Sequence, residues 1–151
     1  MYEGGVRDVS LRGSVGMTEK IVINIDDVPL VDRGNGKQFA VKWGRVASLV
    51  GLNGLGCAVH VVPPGKKAFP FHRHHVQDEL FFVVSGEGEY RFGETIVQVR
   101  SGDLVAAPAG AQAHQLINTG SEICATSVSQ PREGSTSSIT PIPTRSPSPR
   151  A

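Results

Sequence analysis

The chain has 151 residues, a length typical of one domain that can bury a core without disulfides or a structural metal. Fifteen Lys and Arg residues nearly balance 14 Asp and Glu residues, and the net charge of +1 gives no electrostatic reason to expect a nucleic acid or a membrane as partner. The cysteines form no CxxC pair, no apolar run has the length of a membrane span, and the first residues lack the apolar run of a signal peptide, so we expect a cytoplasmic protein.

The start of the chain carries glycine and scattered charge without periodicity, which predicts a disordered extension over residues 1–20. Met17 opens a more regular stretch, so a native start at Met17 instead of Met1 is one hypothesis. Short Val-, Ile- and Phe-rich runs separated by Gly, Pro, Asn and Asp then predict an all-β fold, a sandwich or barrel. The predicted strands span residues 21–25, 39–46, 57–62, 79–85, 90–92, 95–99, 104–107, 113–118 and 123–129.

Three features of the first half invite a functional interpretation. We interpret Trp43, the single tryptophan, as a core or interface anchor rather than a ligand contact. The glycine-rich residues 51–56 lack the spacing and the Lys-Ser/Thr of a phosphate-binding loop, which favours a flexible turn. His60 lies within an alternating strand, and we interpret it as a core or edge histidine rather than a ligand.

The stretch FHRHHVQDE, residues 71–79, contains three of the five histidines. In an extended strand successive side chains alternate between faces, so His72 and His74 point the same way and Arg73 points oppositely. Glu79 follows just beyond this pair. Two imidazoles on one face with a carboxylate close by indicate a metal site, and a polar strand rim rich in histidine is the alternative.

The run ELFFVVS, residues 79–85, is apolar at almost every position, so we expect both faces of this strand to be covered. One face would meet the barrel interior, and the other a second sheet, the N-terminal strands or a partner subunit. After this barrel, residues 130–151 are rich in Ser, Pro and Arg, which predicts a disordered tail. A reading-frame change near residues 123–130 and a naturally divergent tail are the two explanations for this shift in composition.

Two spaced motifs resemble those of the cupin superfamily, and within it the small single-domain type called "cupin 2, conserved barrel". The first motif reads Gly65-(x6)-His72-x-His74-(x4)-Glu79-(x6)-Gly86, and the second reads Gly102-(x5)-Pro108-x-Gly110-(x3)-His114-(x3)-Asn118. The gaps before His72 and His114 are each one residue longer than the commonest form. This resemblance implies a double-stranded β-helix, or jelly-roll barrel, over residues 21–129. It also implies one metal ion held by His72, His74, Glu79 and His114.

Three imidazoles and one carboxylate accept Mn, Fe, Ni, Cu or Zn, and affinity alone does not select one divalent metal among these. Four protein ligands leave two positions on a six-coordinate ion, which permits Lewis-acid or oxygen chemistry. His75 should face away from the pair and is left out of this set. Gln77 and Asp78 are candidates for the rim of the site, although solvent exposure is the simpler expectation. Three other polar residues, which we expect to be structural, are Tyr90, Gln98 and Gln115.

The catalytic residues remain unknown, because no residue stands out as a general acid or base. The first functional hypothesis is a metal-dependent enzyme acting on a sugar, keto acid or phenolic compound, since dioxygenases, isomerases and decarboxylases all occur among cupins. The second is a non-catalytic module that binds a metal or a small sugar or effector. A third, a dimerisation scaffold with a degenerate site, is disfavoured by the intact ligand set. The apolar outer face of residues 79–85 and the dimers common among cupins predict a homodimer.

Overall fold

In the computed structural model, residues 21–121, 123–131 and 139–141 are described. They form short 3₁₀ helices at Ile25–Asp27 and Ala47–Val50 and eleven β-strands. The strands are β1 (Val31–Gly34), β2 (Ala40–Arg45), β3 (Gly56–Val62), β4 (His72–His74), β5 (Gln77–Ser85), β6 (Glu87–Phe92), β7 (Thr95–Arg100), β8 (Leu104–Ala107), β9 (His114–Ile117), β10 (Ile123–Pro131) and β11 (Ile139–Pro141). Neither described helix has the length and apolar character needed to cross a bilayer.

The strands form two sheets that face each other. One sheet has the order β1-β2-β3-β10-β5-β8 and the other has the order β11-β4-β9-β6-β7. Every pair of neighbouring strands is antiparallel, and consecutive strands often lie in different sheets. This arrangement confirms the predicted all-β fold, a double-stranded β-helix.

Side chains from both sheets meet in one core. Phe81 on β5 is 2% exposed and packs among side chains from both sheets. The buried members of this cluster are Val41, Val62, Ala68, Phe81, Val83, Tyr90, Val99, Leu116 and Ala125. Strand alternation explains the set, because inward residues such as Phe81 and Val83 on β5 are separated by an outward one.

The outer face of β5 is not covered by the described residues. Leu80 and Phe82 are 42% and 41% exposed, and Leu104, which lies opposite Phe82 on β8, is 66% exposed. Of the coverings expected for residues 79–85, neither a second sheet nor the described N-terminal residues lie on this face.

The predicted strand at residues 21–25 is wrong. Asn24 Oδ1 accepts a hydrogen bond from the Asp26 amide at 2.9 Å and caps the 3₁₀ helix that starts at Ile25. A local side-chain cap therefore competes with strand pairing at this point. The chain then runs over the outside of β2, where a side chain at Gly44 would collide with Val28.

Residues 139–141 of the expected disordered tail form β11, which pairs with β4 from Ile139 opposite His74 to Pro141 opposite His72. The β4 edge presents backbone groups that need partners, and the β-branched Ile139 and Thr140 suit a strand. The Ser- and Pro-rich composition of residues 130–151 predicts disorder, so it did not indicate this short strand. Residues 1–20, 122, 132–138 and 142–151 lie outside the described residues, and with them the predicted N-terminal extension, the choice between Met1 and Met17, and the rest of the predicted tail.

Candidate metal centre

Strand β4 presents two histidines to the barrel interior. His72 and His74 are buried and Arg73 between them is exposed, which is the alternation expected of a strand. The two imidazole ring centroids lie 5.0 Å apart. The local sequence His-Arg-His therefore supplies a pair of inward nitrogen ligands from one short strand.

Strand β9 brings a third histidine to this pair from about forty residues away in the chain. His114 is the direct cross-strand partner of His72 in the β4–β9 pairing, and it is 1% exposed. Its ring centroid lies 4.5 Å from that of His72 and 5.4 Å from that of His74. The hydrogen-bonding register of the sheet thus assembles three imidazoles.

Glu79 enters from the opposite sheet, on β5. Its Oε2 lies 3.1 Å from His74 Nε2 and 3.4 Å from His114 Nε2. One ligand atom from each of His72, His74, Glu79 and His114 can be chosen so that all four lie within 4.8 Å of one another. The structure brings together the four residues predicted as ligands, and no other described residue joins the cluster.

The hydrogen bonds around the histidines fit a metal ion. His72 Nδ1 lies 2.8 Å from the Pro70 carbonyl oxygen, which accepts only from a protonated nitrogen, so the lone pair of His72 is on Nε2. His114 Nε2 is buried and, among the described residues, makes no hydrogen bond of good geometry. Such a buried nitrogen beside a carboxylate and two imidazoles is a position that a cation satisfies.

The charge states of Glu79 and His72 also fit a metal site. Burial opposes ionisation of Glu79, but the His114 and His74 rings beside the carboxylate outweigh it and lower the Glu79 pKa to about 2. Burial lowers the pKa of His72 and favours its neutral form. An ionised carboxylate and a neutral imidazole are the forms that bind metals.

The two remaining histidines lie outside the cluster. His60 on β3 is 3% exposed, and its ring lies against Phe69 at 5.1 Å and Phe81 at 6.0 Å. Burial lowers its pKa to about 4. His60 is therefore a core histidine, as expected, and His75 is likewise absent from the group of possible ligands.

The polar residues considered beside the site have structural contacts. The Tyr90 hydroxyl donates to the Ala106 carbonyl at 3.3 Å, and Gln115 Nε2 donates to the Phe69 carbonyl at 2.6 Å. Burial and the charge of Glu79 raise the pKa of Tyr90, which disfavours proton transfer near neutral pH. Exposed Gln98 donates to Glu89 at 3.1 Å.

Asp78 has a structural role that the sequence did not indicate. Although exposed, it accepts a hydrogen bond from the Ala109 amide at 2.7 Å. The next amide, Gly110 N–H, donates to the His74 carbonyl at 2.8 Å. Gly110 has φ 73°, a left-handed conformation that glycine adopts without strain. These contacts fix the loop that leads into His114 against the strand that carries His74.

A cavity of about 350 Å³ adjoins the cluster, which is the lower end of the range for small-molecule sites. Its walls include His72, His74 and Glu79 together with residues not predicted for the site: Trp43, Arg45, Gly56, Cys57, Ala58, His60, Phe69 and Ser129. Trp43 packs against the core as expected, and it also forms part of this wall. Strand alternation could have indicated that Arg45 shares the face of Trp43, because it lies two residues further along β2.

Comparison with known proteins places the site within a familiar fold. The family model described as "Cupin domain" matches residues 58–128, a range that includes all four clustered side chains. No curated protein sequence matches the chain. Among solved structures, the "Putative sugar phosphate isomerase" of Acidithiobacillus ferrooxidans superposes with a TM-score of 0.71 at 21% identity, over 82% of each chain.

Two further solved structures are similar in fold. The sugar phosphate isomerase "from a cupin superfamily" of Silicibacter pomeroyi has a TM-score of 0.65 at 18% identity, over 82% of this chain and 97% of its own. The "predicted oxalate decarboxylase" of Thermotoga maritima has a TM-score of 0.64 at 20% identity, over 74% of this chain and 99% of its own. At these identities the superpositions establish the fold alone.

Proposed function

Because residues 58–128 make this chain a member of the cupin superfamily, we propose that it is a metal-dependent enzyme that acts on a small oxygenated molecule. One observation carries the proposal: the cluster of His72, His74, Glu79 and His114 adjoins a cavity of small-molecule size. The active site of an enzyme needs both a reactive centre and room for a substrate. Here these two features lie side by side.

In this proposal the three imidazoles and the Glu79 carboxylate hold one divalent transition metal ion of the series Mn, Fe, Ni, Cu or Zn. Such an ion supplies Lewis-acid polarisation of an oxygen-bearing substrate or reaction with oxygen. The protein residues fix the site around it. The Pro70 carbonyl orients His72, and the Asp78 and Gly110 contacts hold the loop before His114 in place.

The similar structures support the substrate class. Sugar phosphates and oxalate, named in those proteins' descriptions, are small and rich in oxygen. The reactions named there differ, an isomerisation and a decarboxylation, and the fold accommodates both. We therefore propose small, oxygen-rich molecules as the substrate class. For the reaction type, isomerase, decarboxylase and dioxygenase stay as alternatives.

A non-catalytic module that binds a metal or a small ligand is the second candidate. It is favoured by the contacts of Tyr90 and Gln115, whose polar groups are engaged with backbone carbonyls and not with the cavity. Among the described residues, the cavity wall offers no carboxylate besides Glu79 to act as a general base. A site of this kind can hold a ligand without turning it over.

Turnover measurements separate the two candidates. Metal-free protein is loaded in turn with Mn, Fe, Ni, Cu and Zn and assayed against sugar phosphates, keto acids, dicarboxylates and phenolic compounds. We expect at least one metal-loaded form to convert a member of this panel, and the metal-free protein to be inactive. A metal-loaded protein that binds panel compounds by calorimetry without converting any would favour the binding module.

We also propose that the chain forms a homodimer through the outer face of β5 and β8. The exposed Leu80, Phe82 and Leu104 lie side by side in this face, and the described residues leave them uncovered. Contiguous apolar side chains on an antiparallel sheet are typical of a protein interface.

Mass measurement in solution tests the dimer. Light scattering of the wild-type chain should give twice the 16.0 kDa of one chain, and Phe82→Glu should give 16.0 kDa because a carboxylate would be buried unpaired in the interface. Ile96→Glu is the matched control, since Ile96 is 56% exposed on the other sheet. A wild-type mass of one chain, or dissociation by the control alone, contradicts the proposed interface.

A further inference from the structure

Among the described residues that line the cavity beside the cluster, one has a cationic side chain: Arg45, which is also exposed to solvent. Arg45 lies at the end of β2, opposite Ala58 on β3, and Trp43 lies opposite His60 in the same pairing. Because residues two apart on a strand share a face, Arg45 lies on the inward face that also carries Trp43. An arginine at this position reaches the cavity because the neighbouring Ala58 is small.

A serine lies between Arg45 and the cluster. Ser129 on β10 is opposite Gly56 on β3 and Glu79 on β5, and it lines the same cavity. A side chain at position 56 would collide with the Ser129 hydroxyl. Glycine at this position therefore leaves room for the hydroxyl, a donor and acceptor on the path from Arg45 to Glu79.

The charges in this cavity do not balance. Among the described residues, the Glu79 carboxylate contacts the His74 and His114 rings and forms no ion pair with Arg45. A divalent ion held by Glu79 and neutral imidazoles would leave one net positive charge at the cluster, and Arg45 adds a second. A cavity with two separated positive charges and an apolar wall is complementary to a small molecule with two anionic groups.

We propose that Arg45 binds an anionic group of the substrate, so that the substrates of this site are small carboxylates or phosphate esters and not neutral sugars or phenols. This inference rests on the proposed function, because it places the other end of the substrate at the metal. Arginine suits the role since its planar guanidinium pairs with carboxylate and phosphate oxygens in two parallel hydrogen bonds.

The sheet geometry limits the size of the substrate. Arg45 and Glu79 stand on strands β2 and β5, with β3 and β10 between them. Three strand spacings of about 4.8 Å and an offset of two residues along the strands separate their backbones by roughly 16 Å, and both side chains line the cavity between them. With a cavity of about 350 Å³, the remaining space accommodates a molecule of a few carbon atoms.

Calorimetry on the Mn²⁺-loaded full chain tests the inference with two ligand pairs that differ in one anionic group. Succinate is compared with succinamate, and phosphoglycolate with glycolate. In the wild type we expect the ligand with two anionic groups in at least one pair to bind about tenfold more tightly than its partner. Arg45→Gln should abolish that preference, and Arg45→Lys should restore part of it, because lysine keeps the charge without the planar fork.

Lys42→Gln is the matched control, because Lys42 is exposed on the opposite face of β2 and its loss removes the same charge. This variant should retain the preference for the ligand with two anionic groups. Bound Mn²⁺ and melting temperature are measured for each variant to confirm a folded, loaded site. A preference that survives in Arg45→Gln, or that is absent from both pairs in the wild type, overturns the inference while the metal site stands. A wild-type chain that binds none of Mn, Fe, Ni, Cu and Zn instead contradicts the proposed function, and the inference with it; a chain that binds another metal of this series but not Mn²⁺ is tested loaded with that metal.

Discussion

Replacing His114 by alanine should lower the affinity of the chain for divalent transition metals by at least about 100-fold, since removal of groups that only orient ligands already costs 10–100-fold. His114 contributes one of four clustered ligand atoms, and it is 1% exposed. The remaining three residues cannot replace it, because the site is enclosed by strands whose register fixes the other side chains. The metal content of the purified variant and a competitive titration with a chelator measure the effect.

The variant needs controls because His114 also fills space in the barrel. His114→Gln keeps most of the volume and should lose the metal in the same way, whereas its melting temperature without metal should stay closer to that of the wild type. His75→Ala removes a neighbouring histidine that lies outside the cluster and should bind metal normally. Equal metal content in the wild type and in both His114 variants would contradict the assignment of this ligand.

Metal-free protein should lose stability as the pH falls from 6.5 to about 4, and His60 should account for on the order of 3 kcal/mol of this loss. Burial lowers the pKa of His60 from 6.5 to about 4 in the folded chain. Between these values the unfolded state binds the proton and the folded state does not. Acid therefore favours unfolding in this window, and stability is retained above pH 6.5.

Denaturant unfolding at several pH values measures this contribution. In His60→Gln the slope of unfolding free energy between pH 4 and 6.5 should be smaller than in the wild type, because the titrating group is gone. His75→Gln is the matched control for a histidine that is less buried. The same slope in the wild type and in His60→Gln would show that His60 does not carry a lowered pKa.

The paired positions of His72 and His74 could be predicted from the residues alone, because strand alternation is a local property. The place of His114 could not. It depends on the pairing of β4 with β9 across the sheet, and only the resemblance to cupin motifs indicated it. Glu79 could be predicted in part. It is close to His72 and His74 in sequence, but it reaches the cluster from the other sheet, which the sequence alone does not indicate.

The errors have physical causes that sequence periodicity does not report. Residues 21–25 look like a strand by composition, yet the Asn24 side chain caps a 3₁₀ helix there. Residues 139–141 lie in a Pro- and Ser-rich segment, yet they pair with the edge of β4. Arg45 could not be predicted as a site residue. Alternation along β2 indicates which face of the strand carries it, but the cavity on that face is formed with small residues of another strand, Gly56 and Ala58.

Anomalous X-ray scattering from crystals of the metal-loaded chain tests the central claim most directly. Data collected on both sides of the absorption edge of the added metal locate that ion without assumption about its ligands. We expect one peak per chain, within bonding distance of Nε2 of the three clustered histidines and of the Glu79 carboxylate, about 2.0–2.2 Å in the case of zinc. A fully loaded crystal with its peak elsewhere, or with no peak between these four side chains, would contradict the assignment of this cluster as the metal centre.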